Sequence, residues 1–379
     1  MQHHHKRGQL ESVHLRLAAN FLQSLRLLKR STKSFALLFV MGLSISLIVP
    51  GCASGGSNSA TPTGQQAQKD VELTLVSYAV TQAAYEKIIP SFTDKWKQEH
   101  NQNVSFNSSY GGSGSQTRAV IDGLEADVVG LALALDTKKI EEAGLIQPGW
   151  EKEAPNSAIV TKSVAALVTR PGNPKGIKDW ADLSKDGVKV ITANPKTSGG
   201  ARWNFLGLWG SVTQTGKDEA KAQQFTTQVF KNVPVLPKDA REASDVFFKQ
   251  AQGDVLINYE NEMILAKQNG ENPEYVVPDV NISIDNPVAV VDANVDKHGT
   301  REVAEAFVEY LFTPDAQREF AKVGFRPVDP TVGEEVANQY PKVKTLFTAQ
   351  NLGGWDTIQT KFFEDGAIFD KIQAGSESA

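Results

Sequence analysis

Short apolar segments alternate with helix-length segments along most of this 379-residue chain. The segment ADVVGLAL, residues 126–133, is almost continuously apolar, which is typical of a strand buried on both faces of a parallel sheet. The stretch VELTLVSY, residues 71–78, is rich in β-branched and aromatic residues and precedes a helical pattern that Thr81 opens as a candidate N-cap. Repeated strand–helix alternation of this kind predicts an α/β architecture.

Three strand-to-helix junctions carry small or glycine-rich turns: Ala79–Thr81, Gly111–Ser115 and Thr197–Gly200. Glycine permits sharp turns and close approach of the backbone to a neighbour. A helix that begins at such a turn presents unpaired N–H groups and the positive end of its dipole, which together suit an anion. Because ligands of open α/β sheets bind at the carboxyl ends of strands, we predict that these junctions meet at one anion site.

The beginning of the chain has the pattern of a secretion signal. Basic residues dominate up to Lys33, an apolar run follows over residues 35–49, and Cys52 comes after a Pro-Gly pair. The apolar run is shorter than the roughly 20 residues that a membrane span needs. We predict a signal peptide over residues 1–51 and a flexible tether, poor in apolar residues, over residues 52–70.

Cys52 is the single cysteine of the sequence, so the exported fold has no internal disulfide to rely on. The motif VPGC resembles the lipobox of bacterial lipoproteins. This resemblance implies cleavage before Cys52 and lipidation of its thiol, which would tether the protein to the membrane. An uncleaved anchor and a signal without lipidation are the alternatives.

The charge of the chain argues against nucleic acid as a partner. The formal net charge is −5, and the basic leader leaves the remainder more acidic still. An overall field of this sign does not attract anions either. Any anion site must therefore act through local donors.

Motifs in a fixed order along residues 71–372 resemble those of the periplasmic sulfate-binding proteins that serve ABC-type sulfate and thiosulfate importers. The motifs are SYGGSGSQ, GLEADVVGLALALD, NPKTSGGARWNFL, GDVLINYENE and GFRPVD, followed by a late GGW. Each piece is weak alone, but the ordered combination is specific. The resemblance implies a monomeric protein that delivers sulfate or thiosulfate to a permease.

The resemblance also implies the architecture, a two-lobed class II periplasmic solute-binding fold of α/β lobes with two hinge crossings. We expect the first lobe to comprise residues 71–158 and residues 277–379, the latter including the C-terminal tail. The second lobe would be residues 159–276. The crossings are expected near residues 158–161 and 275–278.

The resemblance finally implies a ligand set, in which backbone N–H groups and neutral side chains hold a dry anion without direct contact to a cation. The residues carried over are Ala79, Ser198, Gly199, Gly200 and Ala240 through their backbone N–H groups, Ser113 through its hydroxyl, and Tyr259 through its ring. Some relatives have Asp in place of Ala79, and relatives have Trp in place of Tyr259. A phenol hydroxyl donates as an indole does, but it can also accept. Arg202 and Arg241 are expected to support the structure around the site.

Other functions are less favoured by the sequence. Another oxyanion, such as thiosulfate, molybdate or phosphate, could occupy the same scaffold. A secreted hydrolase is the alternative from another class, but only His100 and His298 lie beyond the leader. We interpret Glu260 and Glu262 as solvated or structural carboxylates, and no cofactor or metal site is predicted.

Overall fold

The computed structural model describes residues 69–377, so the predicted leader, Cys52 and most of the tether lie outside the described residues. Within this part of the chain, two larger sheets and one short strand pair are surrounded by helices. We call the six-stranded sheet the first sheet and the four-stranded sheet the second sheet.

The first sheet combines parallel and antiparallel strands. Its strands, in spatial order, are β11 (Arg326–Pro327), β4 (Ile159–Ser163), β10 (Ile284–Val290), β3 (Val128–Gly130), β1 (Val71–Tyr78) and β2 (Val104–Gly111). β1 pairs in parallel with β2 and β3, whereas β10 runs antiparallel to both β3 and β4. The carboxyl ends of β1 and β2 therefore lie at the same edge of the sheet.

The second sheet is smaller. Its strands, in spatial order, are β6 (Val190–Ile191), β7 (Val255–Tyr259), β5 (Ala165–Thr169) and β8 (Glu274–Val276). β6 is parallel to β7, and β5 is antiparallel to its two neighbours. A separate parallel pair joins β9 (Val280–Ile282) to β12 (Thr345–Phe347).

Helices flank both sheets. They are α1 (Gln82–His100), α2 (Ser113–Ile121), α3 (Ala134–Glu142), α4 (Gly199–Gly216), α5 (Glu219–Lys231), α6 (Ala240–Phe248), α7 (Glu260–Gln268), α8 (Asp292–His298), α9 (Arg301–Tyr310), α10 (Pro314–Lys322), α11 (Pro330–Glu335), α12 (Gly354–Ile358) and α13 (Ile368–Glu377). Short 3₁₀ turns include Ala79–Thr81 and Trp180–Ser184. The predicted α/β alternation is confirmed.

The core follows from the apolar strands identified in the sequence. Leu73, Leu75 and Val128 are fully buried, as expected for central strands covered on both faces. The apolar segment over residues 126–133 is a strand only over Val128–Gly130, although the residues after it stay buried. Burial, rather than strand pairing, accounts for the rest of its apolar character.

The helix that follows β1 starts differently from the prediction. Thr81 precedes α1, but its side chain accepts no hydrogen bond from the first turn of the helix. Its hydroxyl donates instead to the carbonyl of Tyr78 at 2.7 Å and contacts the hydroxyl of Ser77. Thr81 thus tightens the 3₁₀ turn between β1 and α1 and is not an N-cap.

The chain passes from the first sheet to the second at Val164, between β4 and β5. It returns between Val276, the end of β8, and Ile284, the start of β10. β4 pairs with β10 and therefore belongs to the first sheet. The lobe boundaries expected from sequence remain a proposal, and this strand pairing favours a first crossing a few residues later than expected.

The C-terminal segment packs against helices of the second sheet. Phe362, Phe363 and Phe369 surround Phe205 of α4, with ring centroids 5.4–6.1 Å apart. Aromatic burial of this size holds the segment firmly, because each ring removes a large apolar area from water. Among residues 69–377, no helix is both long enough and apolar enough to cross a membrane.

Candidate functional site

A small cavity of about 10 Å³ lies where strand ends of the two sheets face one another. All seven residues that the sequence analysis carried over line it: Ala79, Ser113, Ser198, Gly199, Gly200, Ala240 and Tyr259. Metabolite-sized ligands need pockets of roughly 300–1,000 Å³. The cavity therefore suits a very small solute.

Helix starts point their N–H groups at this cavity. Ser113 begins α2, Gly199 and Gly200 begin α4, and Ala240 begins α6. The first N–H groups of a helix have no acceptor inside the helix, so these four donors are free for a ligand. Ala79 opens the 3₁₀ turn after β1 and adds a donor of the same kind. Three helix dipoles also place their positive ends here.

The glycines are needed because the two sheets come very close. A Cβ atom on Gly112 would lie 2.6 Å from the carbonyl oxygen of Thr197, and one on Gly199 would lie 2.6 Å from the Cβ of Ala132. Gly112 and Ala132 follow strands of the first sheet, whereas Thr197 and Gly199 lie at the start of α4, next to the second sheet. Glycine at these positions permits a backbone approach that any side chain would block.

Two of the predicted donor groups form hydrogen bonds within the protein. The hydroxyl of Ser113 donates to Asp136 Oδ2 at 2.6 Å and accepts from the N–H of Ala132 at 3.0 Å. The backbone N–H of Ser198 donates to the carbonyl of Asn194 at 2.8 Å. In this arrangement the hydroxyl of Ser113 is paired, and its N–H group is free towards the cavity.

Ser198 is left with the hydroxyl as its free donor. Its oxygen accepts from the N–H of Ala201 at 3.3 Å, which makes it the N-cap of α4. Because a hydroxyl can accept and donate at once, its proton stays available to a group in the cavity. The free donors in this arrangement are the N–H group of Ser113 and the hydroxyl of Ser198, and the binding role of each serine stays a prediction.

A buried ion pair stands behind the cavity wall. Arg202 of α4 donates from Nη1 to Asp136 Oδ1 of α3 at 2.7 Å, and both side chains are almost fully buried. Arg202 also donates from Nε to the carbonyl of Pro195 at 2.9 Å. Its predicted structural role agrees with these contacts, since Arg202 is not among the residues that line the cavity.

Among the described residues, no Lys or Arg lines this cavity, and its single charged residue is Asp239. Asp239 is the N-cap of α6 and accepts from the N–H of Glu242 at 2.8 Å. The sequence analysis missed it, although an Asp directly before the donor Ala240 is an ordinary capping signal. An anion in this cavity would be held by dipoles and neutral donors.

Tyr78 is a second lining residue that the sequence analysis missed. It ends β1, directly before the 3₁₀ turn that Ala79 opens, so its position at the carboxyl end of a strand was a usable signal. Its ring lies 6.1 Å from the ring of Tyr259, centroid to centroid. Burial raises the pKa of both phenols, so both are neutral.

The two carboxylates considered in the sequence analysis are structural and buried, not solvated. Glu260 accepts from Arg326 Nε at 2.8 Å, and Glu262 accepts from Arg241 Nη2 at 2.9 Å. Arg241 thus supports the start of α6, as expected. Burial raises the pKa of Glu262 to about 7, against the opposing effect of Arg241.

A cavity between two α/β sheets is the architecture of two-lobed solute-binding proteins. The chain matches the family described as bacterial extracellular solute-binding protein over residues 73–326. A sulfate-binding protein of Synechococcus elongatus is 62% identical over 332 residues, which cover 87% of this chain and 94% of that protein. A thiosulfate-binding protein of Pseudomonas aeruginosa is 39% identical, covering 87% of this chain and 97% of that protein.

Among solved structures, the sulfate-binding protein SubI from Mycobacterium tuberculosis H37Rv superposes with a TM-score of 0.72. It is 36% identical, and the match covers 78% of this chain and 100% of that chain. This chain belongs to the bacterial extracellular solute-binding protein family. The predicted family membership and the predicted two-lobed fold are therefore confirmed.

Replacing Gly199 by Ala should disturb the contact between the two sheets. The added methyl group would meet Ala132 at 2.6 Å, so we expect a loss of about 1–3 kcal/mol of unfolding free energy or a separation of the sheets. Thermal unfolding and the radius of gyration from scattering measure these outcomes. Gly216→Ala in the same helix is the control, since that Cβ would meet no atom within 4 Å. Equal behaviour of the two variants would contradict the prediction.

The raised pKa of Glu262 predicts a pH dependence of stability. Between its ordinary value of 4.5 and about 7, the folded protein holds a proton that the unfolded chain has lost. Stability contributed by this group is therefore present below pH 4.5 and is lost as the pH rises through 7. In the unmodified protein the unfolding free energy should fall by on the order of 1–3 kcal/mol across this window. Glu262→Gln should remove most of this fall. Denaturant unfolding at several pH values checks this, and identical slopes would exclude Glu262 as the titrating group.

Proposed function

We propose that this chain is the extracytoplasmic subunit that captures sulfate between its two lobes and delivers it to the permease of an ABC importer. The observation that carries the proposal is the cavity lined by free helix-start donors and mostly neutral side chains, with no Lys or Arg among the described residues that line it. Sulfate is small and tetrahedral, and it only accepts hydrogen bonds near neutral pH. A donor-rich enclosure of this size matches that chemistry.

The binding energy would come from hydrogen bonds to a charged acceptor. Hydrogen bonds in which one partner is ionised contribute about 1.5–3 kcal/mol each, and a helix dipole adds roughly 0.3–2 kcal/mol. The donors are the N–H groups of Ala79, Ser113, Gly199, Gly200 and Ala240 and the hydroxyls of Ser198 and Tyr259. Because these donors come from both sides of the cleft, the anion would hold the two lobes together.

The relatives support sulfate over other ligands of the same scaffold. The sulfate-binding relative is 62% identical, whereas the thiosulfate-binding relative is 39% identical. Thiosulfate is therefore a secondary ligand in this proposal, and molybdate is not favoured. The fold alone does not choose among oxyanions.

We further propose that the protein has no catalytic role. A serine nucleophile needs a base within hydrogen-bond reach. Ser113 donates to Asp136, which Arg202 neutralises, and this pair is buried behind the cavity wall. The two histidines of the described part are engaged elsewhere: His100 stacks on Trp96, and His298 contacts Asp127.

Calorimetric titration of the tether-free protein with sulfate, thiosulfate and molybdate tests the proposed function. Sulfate should bind most tightly. Ser198→Ala should weaken sulfate binding about tenfold or more, since a donor to a buried dianion is lost. Ser211→Ala is the matched control, because Ser211 lies in the same helix and its hydroxyl donates to the carbonyl of Leu208. Absence of sulfate binding by the unmodified protein would overturn the proposal.

Membrane attachment through Cys52 belongs to the same proposal and lies outside the described residues. Replacing Cys52 by Ala should move the exported protein from the membrane fraction to the soluble fraction. Ser54→Ala, two residues further on, should leave the distribution unchanged. Retention of the Cys52 variant on membranes would show that the thiol carries no anchor.

A further inference from the structure

A hydrogen bond from the indole of Trp203 crosses from one side of the cleft to the other. Its Nε1 donates to the carbonyl oxygen of Ala132 at 2.7 Å. Trp203 belongs to α4, beside the second sheet, whereas Ala132 follows β3 of the first sheet. Trp203 is 1% exposed and is not among the residues that line the cavity. The bond therefore joins the two sides through a side chain that does not face the proposed ligand.

Both ends of this bond are fixed to their own side of the cleft. Asn204, the next residue of α4, donates from Nδ2 to the carbonyl of Ile257 in β7 at 3.0 Å, which ties the start of α4 to the second sheet. On the other side, the carbonyl of Ala132 also accepts from Asn286 Nδ2 of β10 at 2.9 Å. The indole and the carbonyl must therefore part when the two sides separate.

The bond can break without leaving an unpaired group in the protein. A carbonyl oxygen has two lone pairs, and Asn286 still occupies one of them after Trp203 has left, since Asn286 and Ala132 lie on the same side. Water that enters the open cleft can take the second lone pair and can also accept from the freed indole N–H. The contact is therefore reversible, and it contributes only to the closed arrangement.

The C-terminal segment supports the ring of Trp203. Trp355 of α12 packs edge-on against it, with ring centroids 4.8 Å apart and an interplanar angle of 76°. The neighbouring Asp356 pairs with Lys138 of α3, which lies on the first-sheet side. That ion pair is largely exposed, and exposed ion pairs contribute little. The buried indole is therefore the stronger of these two links across the cleft.

We infer that Trp203 provides a closure contact: its indole N–H bonds to Ala132 only when the two sides are closed, and this bond slows release of the bound anion. The inference rests on the proposed function, because it concerns closing around the same ligand. It gives a positioning role to a residue that touches no ligand. Because the contact forms after the anion has entered the cleft, it acts on dissociation and not on association.

The first test needs no substitution. The chain has six tryptophans, so isotopically labelled protein gives six indole N–H signals in a nitrogen–proton spectrum. Exchange of each indole proton with solvent is measured with and without saturating sulfate. The Trp203 signal should lose its protection when sulfate is removed. The signals of Trp150 and Trp209 should not, because their indoles donate to Glu141 and Glu219 on their own side of the cleft.

The second test compares Trp203→Phe with Trp209→Phe in the exported chain. Both tryptophans are 1% exposed in α4, and each substitution removes the same atoms, but only Trp203 bonds across the cleft. Cys52→Ala removes the single native cysteine, and Lys87→Cys and Gln224→Cys then place one label on exposed positions of α1 and α5. The distance between the labels reports closure, calorimetry gives the affinity, and rapid mixing gives the two rates.

Trp203→Phe should bind sulfate about 2- to 12-fold more weakly, which is the loss expected for one hydrogen bond. Selenate binding should weaken by the same factor, since the contact does not touch the ligand. The loss should appear as faster dissociation, with an unchanged association rate and an unchanged label distance in the absence of sulfate. Trp209→Phe should keep the affinity and both rates, even where its unfolding temperature falls.

Three results would overturn the inference. Equal protection of the Trp203 indole with and without sulfate would mean that the bond persists in the open protein. Equal effects of the two Phe variants on sulfate binding would assign the loss to ring volume. A change in the association rate alone would place Trp203 outside the closing step. If Trp203→Phe does not fold, the exchange measurement decides by itself.

Failure of the proposed function is a separate result. The unmodified protein would then bind neither sulfate nor selenate in the calorimeter, whereas failure of the closure contact leaves both affinities of the unmodified protein in place.

Discussion

A buried carboxylate, that of Asp136, joins the two halves of the molecule. The side chain is 0% exposed, and a charge in such a place is stable only when it is paired and fully hydrogen-bonded. Arg202 provides the charge partner from α4, and Ser113 donates from the start of α2. Because these partners flank different sheets, the carboxylate is satisfied only when the sheets are in this arrangement.

This constraint determines the geometry of the cavity. The hydroxyl of Ser113 is committed to Asp136, so the start of α2 is held with its N–H groups directed into the cleft. Arg202 anchors the start of α4 in the same way, close to Gly199 and Gly200. The full charges therefore lie one layer behind the wall, where they position donors, and the wall itself is almost entirely neutral.

The sequence predicted the strand–helix junctions well, because they depend on local signals. The family resemblance identified seven of the residues that line the cavity, and glycine pairs and apolar strands marked the junctions that hold most of them. The sequence did not predict which atom each residue presents. The role of Ser113 depends on Asp136, and the space for Tyr259 depends on Gly200. Such pairings join residues far apart in the chain, and no local pattern records them.

The limits of the sheets were harder to predict for a related reason. β4 and β5 are separated by Val164 alone, and both contain β-branched residues, so their composition does not reveal that they belong to different sheets. The pairing of β4 with β10 places β4 in the first sheet, and the residues of β10 lie more than a hundred positions further along the chain. The C-terminal residues Phe362 and Phe363 are likewise adjacent in the chain, but their partner Phe205 lies in α4.

A neutral wall with charges behind it has a consequence for selectivity. Were a lysine or arginine in contact with the anion, affinity would follow the charge of the ligand, and any small dianion would bind. With dipoles and neutral donors, affinity depends on the number and direction of hydrogen bonds, which differ between a bare and a protonated oxyanion. In the proposed site, discrimination would depend on the lining side chains that can accept, which are those of Tyr78, Ser198, Asp239 and Tyr259, rather than on the helix starts. In the same proposal the helix starts would supply the affinity for a dianion, and these four side chains would determine which oxyanion is preferred.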